Sequence, residues 1–419
     1  MNPTTMQSRL ILIGAAMMMT VAMGMRQSLG LFMGPITHDL GLTAANFTFA
    51  VAIQNLSWGA SQAFVGAFAD RHGARPVMMA GAAVYAVGLG VMLTAHGLTG
   101  LTISGALIGV ALSCTASSLA MSASARAVPE SRRSATLGLV SAVGSLGTLV
   151  IAPVAQATVG GLGWRAGVVL FLVLVAAIML PAAFLTGGVD KLPARTGANV
   201  SMKQVLGQAA RHRGFIVMSA AYFVCGLQLV FLTTHLPTYL ALCGMDPMLS
   251  AEALATIGGV NCIGSWLFGW LGGKYPKHVL LGMLYILRSL ALFAFFATPA
   301  TPTATIAFAA AMGMLWMGVL PLTSGMVAEM FGTRYMATLL GISFMVHQAG
   351  SFLGAWGGGL IYDALGSYDR AWQIGVTVGV IAGMVQILAG GPTRRRDGSG
   401  RSDEHFAFPD GIHSPTLAS

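Results

Sequence analysis

Long apolar runs, separated only by short charged or Pro/Gly-rich breaks, constrain this chain more than any other feature of its sequence. Charged residues make up 8% of the chain and hydrophobic residues 55%, whereas soluble domains average about 25% charged residues. So few charged side chains cannot cover the surface of a soluble protein. Because one bilayer crossing takes about 20 apolar residues, the chain has material for roughly a dozen crossings. This composition excludes a soluble enzyme.

The apolar runs predict an all-α polytopic membrane protein with twelve transmembrane helices in two pseudo-symmetric six-helix bundles. The predicted spans lie near residues 10–35, 46–69, 76–96, 100–125, 135–160, 165–187, 214–242, 251–273, 278–298, 303–327, 336–362 and 371–390. The longest polar stretch before the tail separates the sixth span from the seventh. We therefore predict an N-terminal bundle (1–187), a cytoplasmic linker (188–213), a C-terminal bundle (214–391) and a disordered cytoplasmic tail (392–419).

The positions of Lys and Arg predict the orientation of the chain. Arg165 and Arg370 fall in loops on one side, and Arg26 and Arg288 fall within spans. The others, from a total of 22 Lys and Arg, fall on the opposite side. Because cytoplasmic loops carry an excess of Lys and Arg, we expect both termini in the cytoplasm and the protein in a bacterial cytoplasmic (inner) membrane. The net charge of +9 is then a consequence of topology and requires no nucleic-acid partner.

The two halves share a weak internal repeat, which is common in transporters. Residues at nearly constant shifts pair the first span with the seventh and the fifth with the eleventh. The pairs are Gly24 with Gly226, Arg26 with Gln228, Pro35 with Pro237, and Gly144-Ser145 with Gly350-Ser351. The repeat favours duplication of one six-helix unit.

The loop after the second span reads GAFADRHGAR over residues 66–75. It resembles the signature loop between helices 2 and 3 of the major facilitator superfamily, with Ala74 in place of one basic residue. The resemblance implies two bundles that rock around a central site to give alternating access. It also implies a conformational latch in this loop, formed by Gly66, Asp70, Arg71, Gly73 and Arg75. Asp70 can cap a helix N-terminus, whereas anchoring at the membrane surface is an equal alternative for Arg71.

Three further segments resemble the bacterial monocarboxylate-porter and oxalate–formate-antiporter branch of that superfamily. They are residues 26–32, residues 144–153 followed by Gly163-Trp164-Arg165, and residues 261–265. The resemblance implies a small organic anion, a carboxylate, as substrate. The chain departs from the branch at Ser265, where the branch carries a substrate-binding arginine, and at Asn261, where eukaryotic members carry an aspartate. Anion recognition and proton coupling therefore need other residues here.

Two arginines are predicted to lie deep in spans, where a charge costs roughly 2.5–3.5 kcal/mol on insertion scales. Arg26 lies on the order of 25 Å along the first span beyond Arg9, between the centre and the outer part of the membrane. There its guanidinium can bind a carboxylate, and the alternative is a structural bond to helix-end carbonyls or snorkelling outward. For Arg288 we favour a structural role, against carbonyls or Tyr285, because helix 9 lies at the periphery of the family's fold.

Uncharged polar residues in the spans complete the candidate substrate site, with helix packing as the alternative for each of them. Together with Arg26 they are Gln27, Gln54, Asn55, Gln228, His235, Asn261, His347 and Gln348. The acidic residues nearest to spans, Asp39, Glu252 and Glu329, fall near span ends. If protons are coupled to transport, His347 or the substrate's own carboxylate must carry them.

The sequence contains no Walker loop, catalytic triad or Cys/His cluster, so we predict neither an enzyme nor a cofactor. The leading hypothesis is a monomeric secondary transporter of a small organic anion. An exporter of amphipathic or toxic compounds is the main alternative. A transporter-like membrane sensor is a second alternative, from another class of protein.

Overall fold

The computed structural model is helical, with short connections, in the residues that it describes, which are 3–128, 130–187, 202–331 and 336–391. No β-strand occurs in these ranges, and the predicted all-α fold is confirmed. The predicted tail (392–419) and residues 188–201 of the predicted linker lie outside the described ranges.

The N-terminal half consists of long helices joined by short connections. The helices are α1 (Pro3–Gln27), α2 (Met33–Leu40), α3 (Ala44–His72), α4 (Ala74–Leu93), α5 (Leu98–Thr115), α6 (Ser117–Arg126), α7 (Glu130–Leu162), α8 (Trp164–Leu174) and α9 (Leu180–Leu185). A 3-10 turn (Leu29–Phe32) lies between α1 and α2, and a π-helical turn (Val175–Met179) lies between α8 and α9. The first and sixth predicted spans are therefore locally deformed helices.

The remaining helices are a short one within the predicted linker and those of the C-terminal half. The helices are α10 (Met202–Ala209), α11 (Arg213–Leu242), α12 (Pro247–Leu271), α13 (Lys277–Phe296), α14 (Pro302–Trp316), α15 (Val319–Phe331), α16 (Met336–Leu365) and α17 (Asp369–Ala389). The tenth predicted span is divided between α14 and α15.

Ten helical segments of the described residues are long and apolar enough to cross a membrane. They correspond to ten of the twelve predicted spans. The other two predicted spans are α3 and α16, with 29 and 30 residues, which carry polar side chains in their central parts. The prediction of a polytopic helical membrane protein is confirmed, and twelve crossings are consistent with these helices.

Residues at the helix ends explain where several helices begin and end. The Thr43 hydroxyl accepts a hydrogen bond from the Asn46 N–H, and the Asp246 carboxylate accepts one from the Met248 N–H, which are N-caps of α3 and α12. Gly73 lies between α3 and α4 with φ of 91°, a conformation that strains residues with a side chain. This requirement accounts for one glycine of the predicted latch loop.

Helix packing repeats in the two halves. In the first half α1 packs on α7 and α3 on α5, and in the second half α11 packs on α16 and α12 on α14. Gly147 lies against the carbonyl group of Thr20, and Gly350 lies against that of Phe223. The same shift along the chain relates Thr20 to Phe223 and Gly147 to Gly350. The predicted repeat is therefore present in the packing, aligned on Gly147 rather than on Gly144.

The two halves contact each other where α3 packs on α16, α7 packs on α12, and α11 packs on the 3-10 turn. We call the end of the bundle where α3 begins and α16 ends the outer end, following the predicted orientation. There Asp363 accepts a hydrogen bond of 2.9 Å from the Ala45 N–H. Nearby, Gly30 packs on the Thr233 carbonyl with no room for a side chain. These contacts close the structure towards its outer end.

Candidate substrate site

Arg26 lies at the C-terminal end of α1, just before the chain tightens into the 3-10 turn. Its Nη2 donates a hydrogen bond of 2.8 Å to Oδ1 of Asn55 on α3. The guanidinium carbon also lies 4.9 Å from the centre of the Trp58 ring, within reach of a cation–π interaction. Two neighbouring side chains of α3 thus orient the arginine.

Among the residues that the structure describes, no acidic side chain forms an ion pair with Arg26. The ion pairs recorded there join Asp39 to Arg165 at 2.6 Å and Lys277 to Glu329 at 2.5 Å, both at helix ends. The Nε of Arg26 is buried and has no hydrogen-bond partner in the protein. A charge without a counter-ion is costly within a membrane. An anion that binds the unpartnered N–H of Arg26 would reduce that cost.

A small cavity, with room for about one water molecule, lies beside Arg26 between the two halves. Its lining comes from the first span, α3 and α11, and consists of Arg26, Leu29, Gly30, Val51, Gln54, Asn55, Val230, Thr233 and Thr234. Small-molecule sites have volumes of about 300–1,000 Å³ and combine apolar walls with a few polar groups. This cavity has that composition but is far smaller, so in this conformation it marks a polar pocket beside Arg26 and does not hold a ligand.

The two amide side chains of α3 differ in what they can offer a ligand. Asn55 donates a hydrogen bond of 2.8 Å from Nδ2 to the Val51 carbonyl, which directs its Oδ1 at Arg26. Gln54 is 2% exposed, and its Nε2 is buried without a partner. Asn55 therefore positions the cation, while Gln54 has an unused donor. Gln27, at the end of α1, is partly exposed and is not part of the cavity lining.

His347 and Gln348 lie on α16, beyond the Trp58 ring. That ring packs edge-on against Phe344 with 5.1 Å between centroids, and Phe344 stacks on His347 at 5.7 Å. The His347 Nδ1 lies 3.0 Å from Oε1 of Gln348, whose own Nε2 is buried without a partner. The pair is connected to Arg26 through two aromatic rings but does not line the cavity.

The predicted site amides of α11 and α12 bind neighbouring helices instead of lining the cavity. Gln228 donates a hydrogen bond of 2.9 Å to Oγ of Ser289 and another to a backbone carbonyl of α17. Asn261 donates one of 3.0 Å to Oγ of Ser145 and accepts one of 2.9 Å from the Met317 N–H. These bonds match the helix-packing alternative, and a role in substrate binding stays a prediction for both.

His235 is 1% exposed and has a partner at each ring nitrogen. Its Nε2 lies 2.8 Å from the Ala355 carbonyl oxygen and its Nδ1 lies 3.0 Å from the Tyr368 hydroxyl. A neutral imidazole satisfies both partners, since Nε2–H donates to the carbonyl and Nδ1 accepts from the hydroxyl. This arrangement holds α11 against α16, and substrate binding by His235 also stays a prediction.

Arg288 is completely buried on α13, where it binds the end of another helix. Its Nη2 donates hydrogen bonds of 2.6 Å to the Leu315 carbonyl and 3.2 Å to the Trp316 carbonyl. Its Nη1 donates to Sγ of Cys225 at 3.1 Å. Carbonyls at a helix C-terminus lack partners within the helix and attract cations. Arg288 thus makes the carbonyl contacts expected of a structural residue and caps α14.

The predicted latch loop is described only in part. Gly66 has open space where a side chain would begin, and the side chains of Asp70 and Arg71 lie outside what the structure describes. The guanidinium carbon of Arg75 lies 3.6 Å from the centre of the Phe184 ring, in the same half of the molecule. A latch function of this loop stays a prediction.

Long apolar helices that repeat in two halves around a cationic cavity define a multi-pass membrane protein of the duplicated-bundle transporter class. The chain belongs to the Major Facilitator Superfamily, since the profile of that family matches residues 12–355. The family resemblance of the sequence is confirmed.

Curated relatives align with most of the chain at low identity. The uncharacterized MFS-type transporter YcxA of Bacillus subtilis (strain 168) is 25% identical over 82% of this chain and 85% of its own length. Monocarboxylate transporter 13 of Bos taurus is 24% identical over 87% of this chain and 85% of its own length. The oxalate:formate antiporter of Oxalobacter formigenes is 24% identical over 91% of this chain and 93% of its own length. The chain is similar to the branch that its sequence resembles.

Three residues that line the cavity or contact Arg26 are not singled out by the sequence as candidates. Trp58, Thr233 and Thr234 are ordinary residues of apolar helices when the sequence is read alone. Trp58 lies one helical turn after Gln54 and Asn55, so the spacing of residues on one helix face could have indicated it. The threonines reach the cavity only because α11 packs on the turn that contains Gly30, which is a contact between the two halves.

Proposed function

We propose that this transporter is a secondary active transporter that moves a small organic anion, a carboxylate, across the bacterial cytoplasmic membrane by alternating access. The observation that carries the proposal is Arg26. This cation lies at a central cavity and has no acidic partner among the described residues. The names of two relatives, a monocarboxylate transporter and an oxalate:formate antiporter, point to the same chemistry.

In this proposal the carboxylate binds the free N–H groups of Arg26, while Asn55 holds the guanidinium in place. Charge-assisted hydrogen bonds of this kind are about twice as strong as neutral ones. Gln54 adds a neutral donor from the same wall. The bound anion neutralises the buried charge, and the two halves then exchange their contacts at the outer end for contacts at the other end.

Proton coupling, if present, depends on groups other than a deep carboxylate. In the described spans the acidic residues with recorded contacts, such as Asp39, Asp363 and Glu329, lie at helix ends. His347 and the substrate's own carboxylate are the remaining candidates in this proposal. We also propose that the protein works as a monomer with both termini in the cytoplasm.

The decisive experiment is uptake of radiolabelled carboxylates into proteoliposomes that contain the wild type, Arg26→Ala or Arg26→Lys. Removing one partner from a desolvated charge contact costs about 2–5 kcal/mol, so we expect Arg26→Ala to lower uptake efficiency at least about 30-fold. Arg26→Lys keeps the charge but loses the forked geometry and should fall between the two.

The matched control is Arg370→Ala, which removes an exposed arginine at the start of α17. It should leave uptake unchanged. Unchanged carboxylate uptake by Arg26→Ala, or selective uptake of organic cations by the wild type, would overturn the anion assignment and favour the exporter alternative.

A further inference from the structure

Trp58 contacts Arg26 but does not line the cavity beside it. The guanidinium carbon of Arg26 lies 4.9 Å from the centre of the Trp58 ring, and an indole face attracts a cation within about 6 Å of that centre. The cavity lining includes Arg26 and Asn55 but not Trp58. A carboxylate that binds on the cavity side of Arg26, once the walls have moved apart, therefore does not have to displace the ring.

The Trp58 ring is held in place by its own neighbours. Its Nε1 donates a hydrogen bond of 3.1 Å to Oε1 of Gln62, one turn further along α3. It also packs against the ring of Phe344 on α16 in an edge-to-face arrangement, with 5.1 Å between centroids. The side chain is buried. Because the ring is buried and held at two points, it keeps its position beside the guanidinium.

The attraction between Arg26 and Trp58 is strongest when Arg26 carries no anion. A cation–π interaction is electrostatic and is larger where water is excluded. No acidic residue among those described pairs with Arg26, so its charge acts on the ring without compensation in the empty protein. A bound carboxylate neutralises that charge, and the ring then experiences the weaker field of an ion pair. The contact with Trp58 therefore stabilises the empty site more than the occupied site.

We propose that Trp58 is a positioning residue that replaces the missing counter-ion of Arg26 in the empty transporter and thereby weakens anion binding. The inference rests on the proposed function, because it requires the anion to bind Arg26. A transport pathway must release its substrate as well as bind it, and a stabilised empty site favours release. Since only the difference between two states changes affinity, loss of the ring should tighten carboxylate binding about fivefold.

The test compares carboxylate binding by the wild type, Trp58→Phe and Trp58→Leu, as purified full-length proteins in lipid nanodiscs. Acetate, lactate, benzoate and oxalate are the probes, and ligand-induced thermal shift gives the Kd of each. Trp58→Leu removes the aromatic face, so we expect its Kd to fall about fivefold for the carboxylates that the wild type binds. Trp58→Phe keeps a ring that attracts cations less than indole does, so its Kd should lie between the other two. Both variants lose the hydrogen bond to Gln62, so the difference between them reports the aromatic ring.

Trp164→Leu is the matched control, because Trp164 also lies beside an arginine. The guanidinium carbon of Arg165 is 4.3 Å from the centre of the Trp164 ring. The Nε1 of Trp164 also donates a hydrogen bond to a side chain, at 2.9 Å to Oδ2 of Asp39. This tryptophan lies at the start of α8 and does not line the cavity. Its loss should leave the Kd of every probe unchanged.

Tighter binding by Trp58→Leu, with no change in Trp164→Leu, is the expected result, and a loss of packing alone does not produce it. If Trp58→Leu binds equally or more weakly while Arg26→Ala still abolishes binding, the counter-ion role is wrong and the anion site stands. Equal tightening by the control would also overturn that role. If no probe binds in an Arg26-dependent way, both proposals are overturned. Should Trp58→Leu fail to fold, Trp58→Phe tests the inference through a smaller change of the same sign.

Discussion

The carboxylate of Asp363 accepts a hydrogen bond of 2.9 Å from the backbone N–H of Ala45. This bond joins the first turn of α3, in one half of the transporter, to the last turns of α16, in the other half. The N–H groups of a first helical turn have no partners within the helix, and the positive end of the helix dipole favours an acceptor with negative charge. Asp363 therefore stabilises the closed outer end.

We expect Asp363→Ala to open the outer end more often. Loss of a helix cap costs about 1 kcal/mol, which corresponds to roughly a fivefold shift between closed and open populations. The measurement is the labelling rate of Thr48→Cys, a fully buried position under Gly359, by a membrane-impermeant maleimide. The background needs Cys243→Ser, because Cys243 is exposed.

Asp369→Ala is the control for this experiment, since Asp369 is an exposed carboxylate at the start of α17. It should leave the labelling rate of Thr48→Cys unchanged. Equal labelling rates for Asp363→Ala and the parent protein would show that the bond does not hold the two halves together.

The contact between Arg26 and Asn55 leads to a second prediction. Asn55→Asp places a carboxylate where the amide oxygen lies 2.8 Å from the guanidinium, so an internal ion pair should occupy the group that binds substrate. We expect uptake of carboxylates to fall at least about tenfold, mainly through a higher KM, with little loss of thermal stability. Asn46→Asp, in the first turn of the same helix, is the control and should transport normally.

Arg288 should behave in the opposite way, because both of its Nη atoms bind protein groups, the helix-end carbonyls of α14 and Sγ of Cys225. Hydrogen bonds to charged groups contribute about 1.5–3 kcal/mol each, so Arg288→Met should lower the Tm of the purified protein by several degrees. The Leu315 and Trp316 carbonyls would then lose their donor. The KM for the substrate should stay that of the wild type in the fraction that folds. A raised KM with an unchanged Tm would instead assign Arg288 to the substrate site.

His212, just before the membrane-spanning part of α11, gives a prediction on pH. Its Nδ1 accepts a hydrogen bond of 3.3 Å from the Phe215 N–H, and burial lowers the pKa of this histidine from the ordinary value of 6.5. Because the unfolded chain then binds the proton more readily, this contribution to stability is present above about pH 6.5 and is lost as the pH falls below it. Protonation also removes the acceptor.

His212→Asn provides the comparison for this prediction, since Asn is a good N-cap that does not titrate. We expect the Tm difference between wild type and His212→Asn to move against the wild type as the pH is lowered from 7.5 to about 5. A pH-independent difference would mean that His212 does not titrate in this range.

The sequence predicted the helical architecture well because each span is specified locally, by about 20 consecutive apolar residues. The deformations within spans were not predictable in that way. The 3-10 turn at Leu29–Phe32 lies where the chain packs on α11, and the break after α14 lies where Arg288 of α13 binds the last carbonyls of that helix. The repeat was detected from glycines, but its exact alignment needed the contact between Gly147 and Thr20.

The candidate site, like the fold, could be predicted only in part from the sequence. Arg26 could be found because an intramembrane charge is rare and needs a function. The amides Gln54, Asn55, Gln228 and Asn261 were indistinguishable in sequence, since an amide in a span can bind substrate or another helix. The structure places the first two at the cavity and the last two on hydrogen bonds between helices. Whether such an amide faces the cavity or a neighbouring helix depends on the rotation of its helix about the helix axis.

Gly147 contacts the backbone of Thr20, and Gly350 contacts the backbone of Phe223. In each half, therefore, two helices touch with no side chain between them. Because nothing separates their backbones there, we expect the two helices of each pair to move together. Arg26 lies within about two turns of Thr20 on the same helix. A single methyl group added at Gly147 would push α1 and α7 apart and tilt the guanidinium of Arg26, although Gly147 does not line the cavity.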